Sequence, residues 1–244
     1  INFMKKPSIS VVIPCFNSQG SIEKVIFDIL KYLNSNERVE LKEIICINDL
    51  SLDKTNEVLK DIVSKYNKVK FFSNTKNIGQ VQSTLVGIEA SKGEYIVTLD
   101  DDNQHPPSQI EKIINKCIDN DHDFVTGFWE KDETYIRNIT SSLANLLINL
   151  SLLNKTSYRI SAFRVIKSTL KGDILKTFYK SSLMDLRKIS NNYGVVKVEH
   201  NSNPLNRQFT TFIKRLRITL SYLFFETYLS FFLFLCLLIY LILF

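Results

Sequence analysis

Along the first half of the chain, short unbroken apolar runs alternate with stretches in which apolar positions recur every three or four residues. Residues 9–14 (ISVVIP) are a β-branched run closed by Pro14 and Asn17, which predicts a buried strand followed by a loop. From Ser21, a capping residue, the periodicity predicts an amphipathic helix to about Leu33. Residues 43–47 (EIICI) predict a second buried strand, and Ser51 or Asp53 opens a helix running to about Tyr66. A third strand over 69–72, a helix over 79–90 and a fourth strand over 95–99 (YIVTL) follow. Pro107 stands where a first-turn proline belongs and opens a helix to about Ile118; residues 123–126 close the series as a strand.

Strand and helix alternating at this spacing predict an α/β fold built on a doubly wound, mostly parallel sheet. Ligands bind such sheets beyond the carboxyl ends of the strands. That singles out three loops, residues 15–20, 48–55 and 100–107.

The second half changes the picture. Residues 227–244 carry no charge and are dominated by Leu, Phe, Ile and Tyr. As a helix they would reach about 27 Å, close to the thickness of a bilayer's hydrocarbon core. A core helix of that length would show a polar stripe, so a membrane helix is expected. Lys214, Arg215 and Arg217 precede it, and the positive-inside rule sets that side in the cytoplasm. Residues 212–225 between them suit an amphipathic lead-in at the headgroups. The apolar run reaches the last residue without a polar flank, as expected of a membrane segment that continues. The expected organisation is a globular body over 1–206, a juxtamembrane amphipathic segment over 207–226 and a transmembrane helix over 227–244.

A chain of 244 residues with 45% hydrophobic and 23% charged content is neither wholly disordered nor collagen-like. Its net charge of +6 belongs to the body, because the tail contributes no base. No aromatic-basic interleaving accompanies that charge, so anionic lipid and a pyrophosphate substrate fit it better than nucleic acid. Cys15, Cys46, Cys117 and Cys236 form no CxxC pair, which argues against a zinc site or a disulfide framework and suits a reducing compartment. The N-terminus has no signal-peptide h-region.

Chemistry concentrates in the loops. Asp100, Asp101 and Asp102 follow the fourth strand, and Asn103, Gln104 and His105 come next. Alternate residues of an extended segment point the same way, so Asp100 and Asp102 can converge while Asp101 faces elsewhere. Two close carboxylates repel unless a cation lies between them, and Mg²⁺ or Mn²⁺ would relieve that and bridge to substrate phosphates. A solvated acidic turn with capping duties is the other reading of the triplet, and residues 48–53 can likewise be a cap. No GxxxxGK[ST], GxGxxG or GxSxG is present, and His105, His122 and His200 lack metal-ligand spacing.

Taken in order, these residues resemble the family 2 glycosyltransferases, in particular the membrane-anchored branch similar to dolichol-phosphate mannose synthase and undecaprenyl-phosphate sugar transferases. Val11 to Ser18 is similar to "VVIPVYNS", and Ile47 to Asp53 to "VNDGSxD" with Leu50 where Gly is usual. Asn77 to Gln80 resembles "NxGQ", and Gly93 to Pro107 resembles "GDYIVTLDDDLQHPP". Arg137, Asn138 and Ser141 match "RNxxS"; residues 161–164 are similar to "SSFR", and Leu183 to Asp185 to a later "LD". Each motif alone is weak, whereas the ordered set spans about residues 8–200.

The resemblance implies a GT-A type, Rossmann-like fold, a nucleotide-sugar donor (UDP-, GDP- or dTDP-linked) and a divalent metal. By position, Pro14, Asn17 and Asp49 would line the nucleotide pocket, with Asp49 accepting from the base; Asn77, Gly79 and Asp101 would belong to the same donor site. Asp100 and Asp102 would hold the metal and donor diphosphate, and Gln104 would lie near the reacting sugar. Arg137, Arg164 and Arg207 would be candidates for phosphate or acceptor contacts, and Asp185 for a general base, its other reading being a helix-surface acid. The implied reaction is inverting transfer to polyprenyl phosphate at the cytoplasmic face of the inner membrane, in cell-envelope polysaccharide synthesis. Transfer to a glycan hydroxyl and a non-catalytic nucleotide-sugar-binding role are the alternatives. The chain departs from the branch where "HxxRxxGxSxYT" is usual: residues 200–210 put Ser202 at the Arg, Leu205 at the Gly and Arg207 at the Ser, so Arg207 would supply the positive charge from another position.

Overall fold

In the computed structural model the described residues are 6–129, 161–181, 183–199 and 201. The chain divides into two compact units, and these residues all fall in the first, made of Ile1–Glu130 and Ile160–Ser202. Residues 207–226 and 227–244, expected to be the amphipathic and membrane segments, lie outside the described residues. Among the described residues no helix is long and apolar enough to cross a membrane.

Strand β1 (Ser8–Cys15) occupies the middle of the fold because it is apolar on both faces: Ile9, Val11, Val12 and Ile13 are fully buried. It is followed by α1 (Ile22–Asn34), β2 (Glu40–Asn48), α2 (Thr55–Lys65), β3 (Val69–Ser73), α3 (Gln80–Ala90) and β4 (Tyr95–Thr98). Next come α4 (Ser108–Asp119), β5 (Phe124–Phe128), β6 (Arg164–Lys167), α5 (Lys171–Phe178) and β7 (Tyr193–Lys197). Among the described residues a seven-stranded sheet runs in the order β3-β2-β1-β4-β6-β5-β7. Val11 of β1 pairs with Ile44 of β2 on one side and Val97 of β4 on the other, both in parallel. The β2–β3 and β5–β7 pairs are parallel too, whereas β6 runs antiparallel to both β4 and β5.

The expected strand and helix series through β5 is present, with ends shifted by a few residues. The sheet does not close there, however: β6 and β7 extend it, and β6 gives it an antiparallel member. Four and five residues long (RVIK and YGVVK), they are too short and too polar for an apolar run to mark them. Helix α1 buries Ile22, Val25, Ile26, Ile29, Leu30 and Leu33 along one stripe. Ser21 occupies its N-cap position, but the hydroxyl caps no helix amide. Helix α3 lies so close to β1 that a Cβ on Gly87 would fall 2.3 Å from Val12 Cγ1. Only a residue without a side chain lets the helix approach this far.

Glu43 is the one acid inside the apolar run of β2, and it is only 2% exposed. It accepts hydrogen bonds from Ser10 Oγ at 2.9 Å, from the Lys92 amide at 2.7 Å and from Lys70 Nζ at 2.7 Å. The network pins the turn before β4 to β1 and β2. Burial pushes the Glu43 carboxyl pKa up, but the Lys70, Ser10 and Lys92 donors outweigh it and hold the pKa below its ordinary 4.5. A depressed folded-state pKa gives stability that is present above pH 4.5 and lost as pH falls through the folded value. Glu43→Gln should therefore cost about 1–3 kcal/mol at pH 7 and much less near pH 3. Denaturant unfolding of both proteins across that range checks this, and an equal loss at both pH values would contradict it.

Candidate active site

The order of the sheet reverses at β1, with β2 on one side and β4 on the other. The loops leaving all three strands therefore emerge together at one sheet edge, the usual ligand crevice of open α/β sheets. They are also bonded to one another. The Asp49 amide donates to the Cys15 carbonyl at 2.9 Å, and the Asn17 amide to Ser51 Oγ at 3.0 Å. The Leu52 amide returns a bond to Asn17 Oδ1 at 2.8 Å, and the Phe16 amide donates to Asp101 Oδ2 at 3.1 Å. Asp53 accepts from the Gln19 amide at 3.1 Å and caps the Thr55 amide at 3.0 Å. Pro14 is buried at the end of β1, just before this mesh begins.

Asp49 is the most committed side chain in the mesh. It is 3% exposed, and its Oδ1 accepts from Asn74 Nδ2 at 2.9 Å and the Ile78 amide at 2.8 Å. Its Oδ2 accepts from the Gly79 amide at 2.8 Å, and its carbonyl accepts from Asn77 Nδ2 at 3.1 Å. Asp49 was expected to meet a nucleotide base; here both carboxylate oxygens bind the loop that leads into α3. Asn77 and Gly79, expected at the donor site, are the other half of that clamp. Gly79 sits at φ +84°, a conformation that L side chains rarely adopt, and that turn aims its amide at Asp49.

The acidic triplet divides as the alternation predicts in one respect: Asp101 turns toward the first loop and accepts from Phe16. Asp102 Oδ1 accepts from the Gln104 amide at 3.2 Å across the left-handed Asn103 (φ +59°). Asp100 Oδ1 accepts from Gln80 Nε2, at the first residue of α3. Among the described residues no three His, Cys, Asp or Glu side chains gather into a metal site. Two partly exposed carboxylates on one strand end still suit a small divalent ion, which is commonly held by one or two carboxylates with substrate phosphates completing the shell. The loop is held from below by His105, which is 5% exposed, stacks on Phe163 (centroids 4.6 Å, 15°) and meets Trp129 edge-on at 5.1 Å.

Arg164 is not presented to an anion in this structure. It is 5% exposed, and its guanidinium donates to the carbonyls of Met184, at 2.9 Å, and Ser161. As placed here, Arg164 braces the segments that carry Ser161 and Met184. Burial lowers its pKa to about 10, against the opposing pull of Asp100 and Asp185. Asp185 is no helix-surface acid: it is 4% exposed and caps a short 3₁₀ turn, Leu186–Lys188. Arg187 occupies both its oxygens, with Nε 2.8 Å from Oδ1 and Nη2 2.7 Å from Oδ2. Arg137 and Arg207 lie outside the described residues.

Four contributors are not singled out as site residues by the sequence. Gln80 reaches Asp100, and its place inside the Asn77–Gln80 motif is the signal that could have marked it. Asn74 holds Asp49 and carries no such signal. Gln109, in the first turn of α4, accepts from the Glu199 amide at 3.1 Å, and the Asn201 amide donates to the Gln104 carbonyl at 2.8 Å. Together these stitch the segment after β7 to the acidic loop.

An acidic loop at the switch point of a mostly parallel sheet, bonded to the loop after β1, stands where open α/β sheets take their ligands. The model of the glycosyl transferase family 2 domain matches residues 10–174, and the chain belongs to that family. CsbB of Bacillus subtilis (strain 168) is 28% identical over 173 residues, covering 71% of this chain and 52% of CsbB. The chain thus spans about half the length of that relative. The undecaprenyl-phosphate 4-deoxy-4-formamido-L-arabinose transferase of Edwardsiella ictaluri (strain 93-146) is 29% identical over 142 residues, 57% of this chain and 43% of that one. Among solved structures, glucosyl-3-phosphoglycerate synthase from Mycobacterium tuberculosis in complex with Mn²⁺ and UDP-glucose superposes with a TM-score of 0.62 at 18% identity, covering 90% of this chain and 79% of that one. That likeness gives the fold as GT-A-like.

Two substitutions test the mesh. Asp49→Asn leaves one acceptor oxygen and sets an NH₂ against a backbone N–H, so about 1–3 kcal/mol of stability should be lost. Amide exchange at Ile78 and Gly79 should quicken, and unchanged protection there would show that the clamp is dispensable. Leu50 stands at φ +57° where the family usually has Gly. A left-handed leucine is strained by about 1–2 kcal/mol, and glycine's extra chain entropy offsets part of the relief. Leu50→Gly should therefore raise stability by roughly 0.5–1 kcal/mol, read as a higher denaturation midpoint; a lower midpoint would mean that Leu50 contributes packing that outweighs the strain.

Proposed function

We propose that this protein is an inverting, metal-dependent glycosyltransferase that moves a sugar from a nucleotide-sugar donor onto polyprenyl phosphate at the cytoplasmic face of the membrane. The observation that carries the reading is the loop at the end of β4, whose Asp101 is bonded to the loop after β1, which is in turn bonded to the loop after β2 at the switch point. The nucleotide would lie along the edge of β1 and β2, bordered by Asn17 and the loop that Asp49 fixes. Asp100 and Asp102 would hold Mg²⁺ or Mn²⁺ together with the donor diphosphate. When bound, the ion supplies positive charge for the negative charge that develops on the departing diphosphate. Gln104, fixed through its backbone to Asp102 and Asn201, borders the place left for the sugar.

Asp185 weighs on the choice of acceptor. A hydroxyl acceptor needs a base to take its proton, whereas a phosphate is already anionic near neutral pH. Asp185, the carboxylate that a hydroxyl acceptor would call on, has both oxygens occupied by Arg187. The undecaprenyl-phosphate transferase of Edwardsiella, the uncharged run over 227–244 and the basic residues Lys214, Arg215 and Arg217 support a lipid-phosphate acceptor and a membrane location.

A transfer assay in detergent tests this, using radiolabelled UDP-, GDP- and dTDP-sugars, Mn²⁺ or Mg²⁺, and undecaprenyl phosphate. Label should enter the organic phase and fail to do so with EDTA. Asp102→Asn should lower turnover on the order of a hundredfold or more. Donor hydrolysis without lipid product would overturn the acceptor assignment, and an Asp102→Asn enzyme with unchanged turnover would overturn the metal role.

A further inference from the structure

The donor site carries part of its counter-charge within the protein. Strand β6 begins where β4 ends, and the antiparallel register that pairs Thr98 with Arg164 places this arginine beside the strand that delivers Asp100. Its hydrogen bonds all go to neutral carbonyls, those of Ser161 and Met184. Its positive charge is therefore balanced through space, and at 5% exposure little solvent screens it. Asp100 and Asp185 are the carboxylates that act on it, and the guanidinium stays protonated at neutral pH despite its burial. Asp185 is in turn held by Arg187, whose side chain is only 12% exposed. The result is a row of alternating charges, Asp100, Arg164, Asp185 and Arg187, with its inner members buried and Asp100 partly exposed in the acidic loop.

We infer that Arg164 is a positioning residue that serves as a resident cation beneath the acidic loop and sets how strongly Asp100 and Asp102 attract a divalent ion. The inference rests on the proposed metal site and assigns a further role to a side chain whose hydrogen bonds go to the Ser161 and Met184 carbonyls. A fixed charge here has two effects on the protein. It lets carboxylates share one strand end before any ligand arrives, which eases their mutual repulsion. It also weakens the hold on the ion, so that the ion's charge remains available to the diphosphate. Because the charges alternate, removing one member shifts the field at Asp100 in a direction that depends on which is removed. A side chain with only a packing role has no such signature.

The test is Mn²⁺ binding to the full chain in detergent, followed by the electron paramagnetic resonance signal of free Mn²⁺ at fixed ionic strength, with a thermal melt of each variant as the fold check. Arg164→Gln removes the cation and should tighten Mn²⁺ binding on the order of tenfold. Asp185→Asn leaves Arg164 and Arg187 less compensated and should weaken binding by a comparable factor. Arg164→Lys keeps the charge and should stay within about twofold of the parent. Binding by Arg164→Gln that is equal to or weaker than the parent's would overturn the inference while leaving the metal site standing. If Arg164→Gln does not fold, Arg164→Lys decides: weakened binding there means that the fork geometry, not the charge, matters. A parent protein that binds no Mn²⁺ would overturn the inference and the metal part of the proposed function together.

Discussion

A parallel strand buried on both faces cannot turn back on itself. Its chain must leave at one edge, cross over and re-enter from the other, so every loop that follows such a strand is delivered to the same side. β1 imposes this condition on the fold, flanked by β2 and β4 and sealed above and below by apolar side chains. The consequence is electrostatic crowding. Asp49, Asp53, Asp100, Asp101 and Asp102 all stand at the ends of β2 and β4, and the loops carrying them are bonded to one another or to the loop after β1. Backbone amides absorb much of that charge: those of Phe16, Gln19, Thr55, Ile78, Gly79 and Gln104 each donate to one of these carboxylates. The loops are thus ordered by the acids they carry.

Much of this was legible in the sequence, for a physical reason. Strands covered on both faces read as unbroken apolar runs, and helices covering them read as stripes, so β1 to β5 and α1 to α4 announce themselves. The rule for open sheets then selects the three loops that meet. Legibility fails where a few residues or a direction decides. β6 and β7 are short and half polar, so nothing in RVIK or YGVVK separates a strand from a loop. A motif states that an acid follows β2 but not which amides face it, and Asp49 turned out to be enclosed by the loop before α3. Arg164 illustrates the same limit. An arginine beside a predicted anion site reads as exposed to its ligand, and the sequence does not disclose that Arg164 is buried on two carbonyl partners.

The acidic loop is held at three points, two by hydrogen bonds and one by aromatic stacking. Hydrogen bonds fix it to the first loop through Asp101, and aromatic stacking fixes its far end through His105 on Phe163. The Asn201 amide holds its middle from the segment after β7. Asp100 and Asp102 therefore project from a backbone anchored on either side of them. Preorganisation of this sort lets carboxylates hold a cation and diphosphate without rearranging during a reaction.

The contact between Gly87 and Val12 reaches further than the core it belongs to. A helix is close to a rigid rod, and Gly87 lies seven residues from Gln80, about 10 Å along α3 at 1.5 Å per residue. How closely α3 lies on β1 therefore fixes where its first residue, and the amide that meets Asp100, comes to rest. A single methyl group at Gly87 would act as a wedge under the far end of a lever. Its effect would be read at the acidic loop as altered chemistry, although the lesion is one of packing.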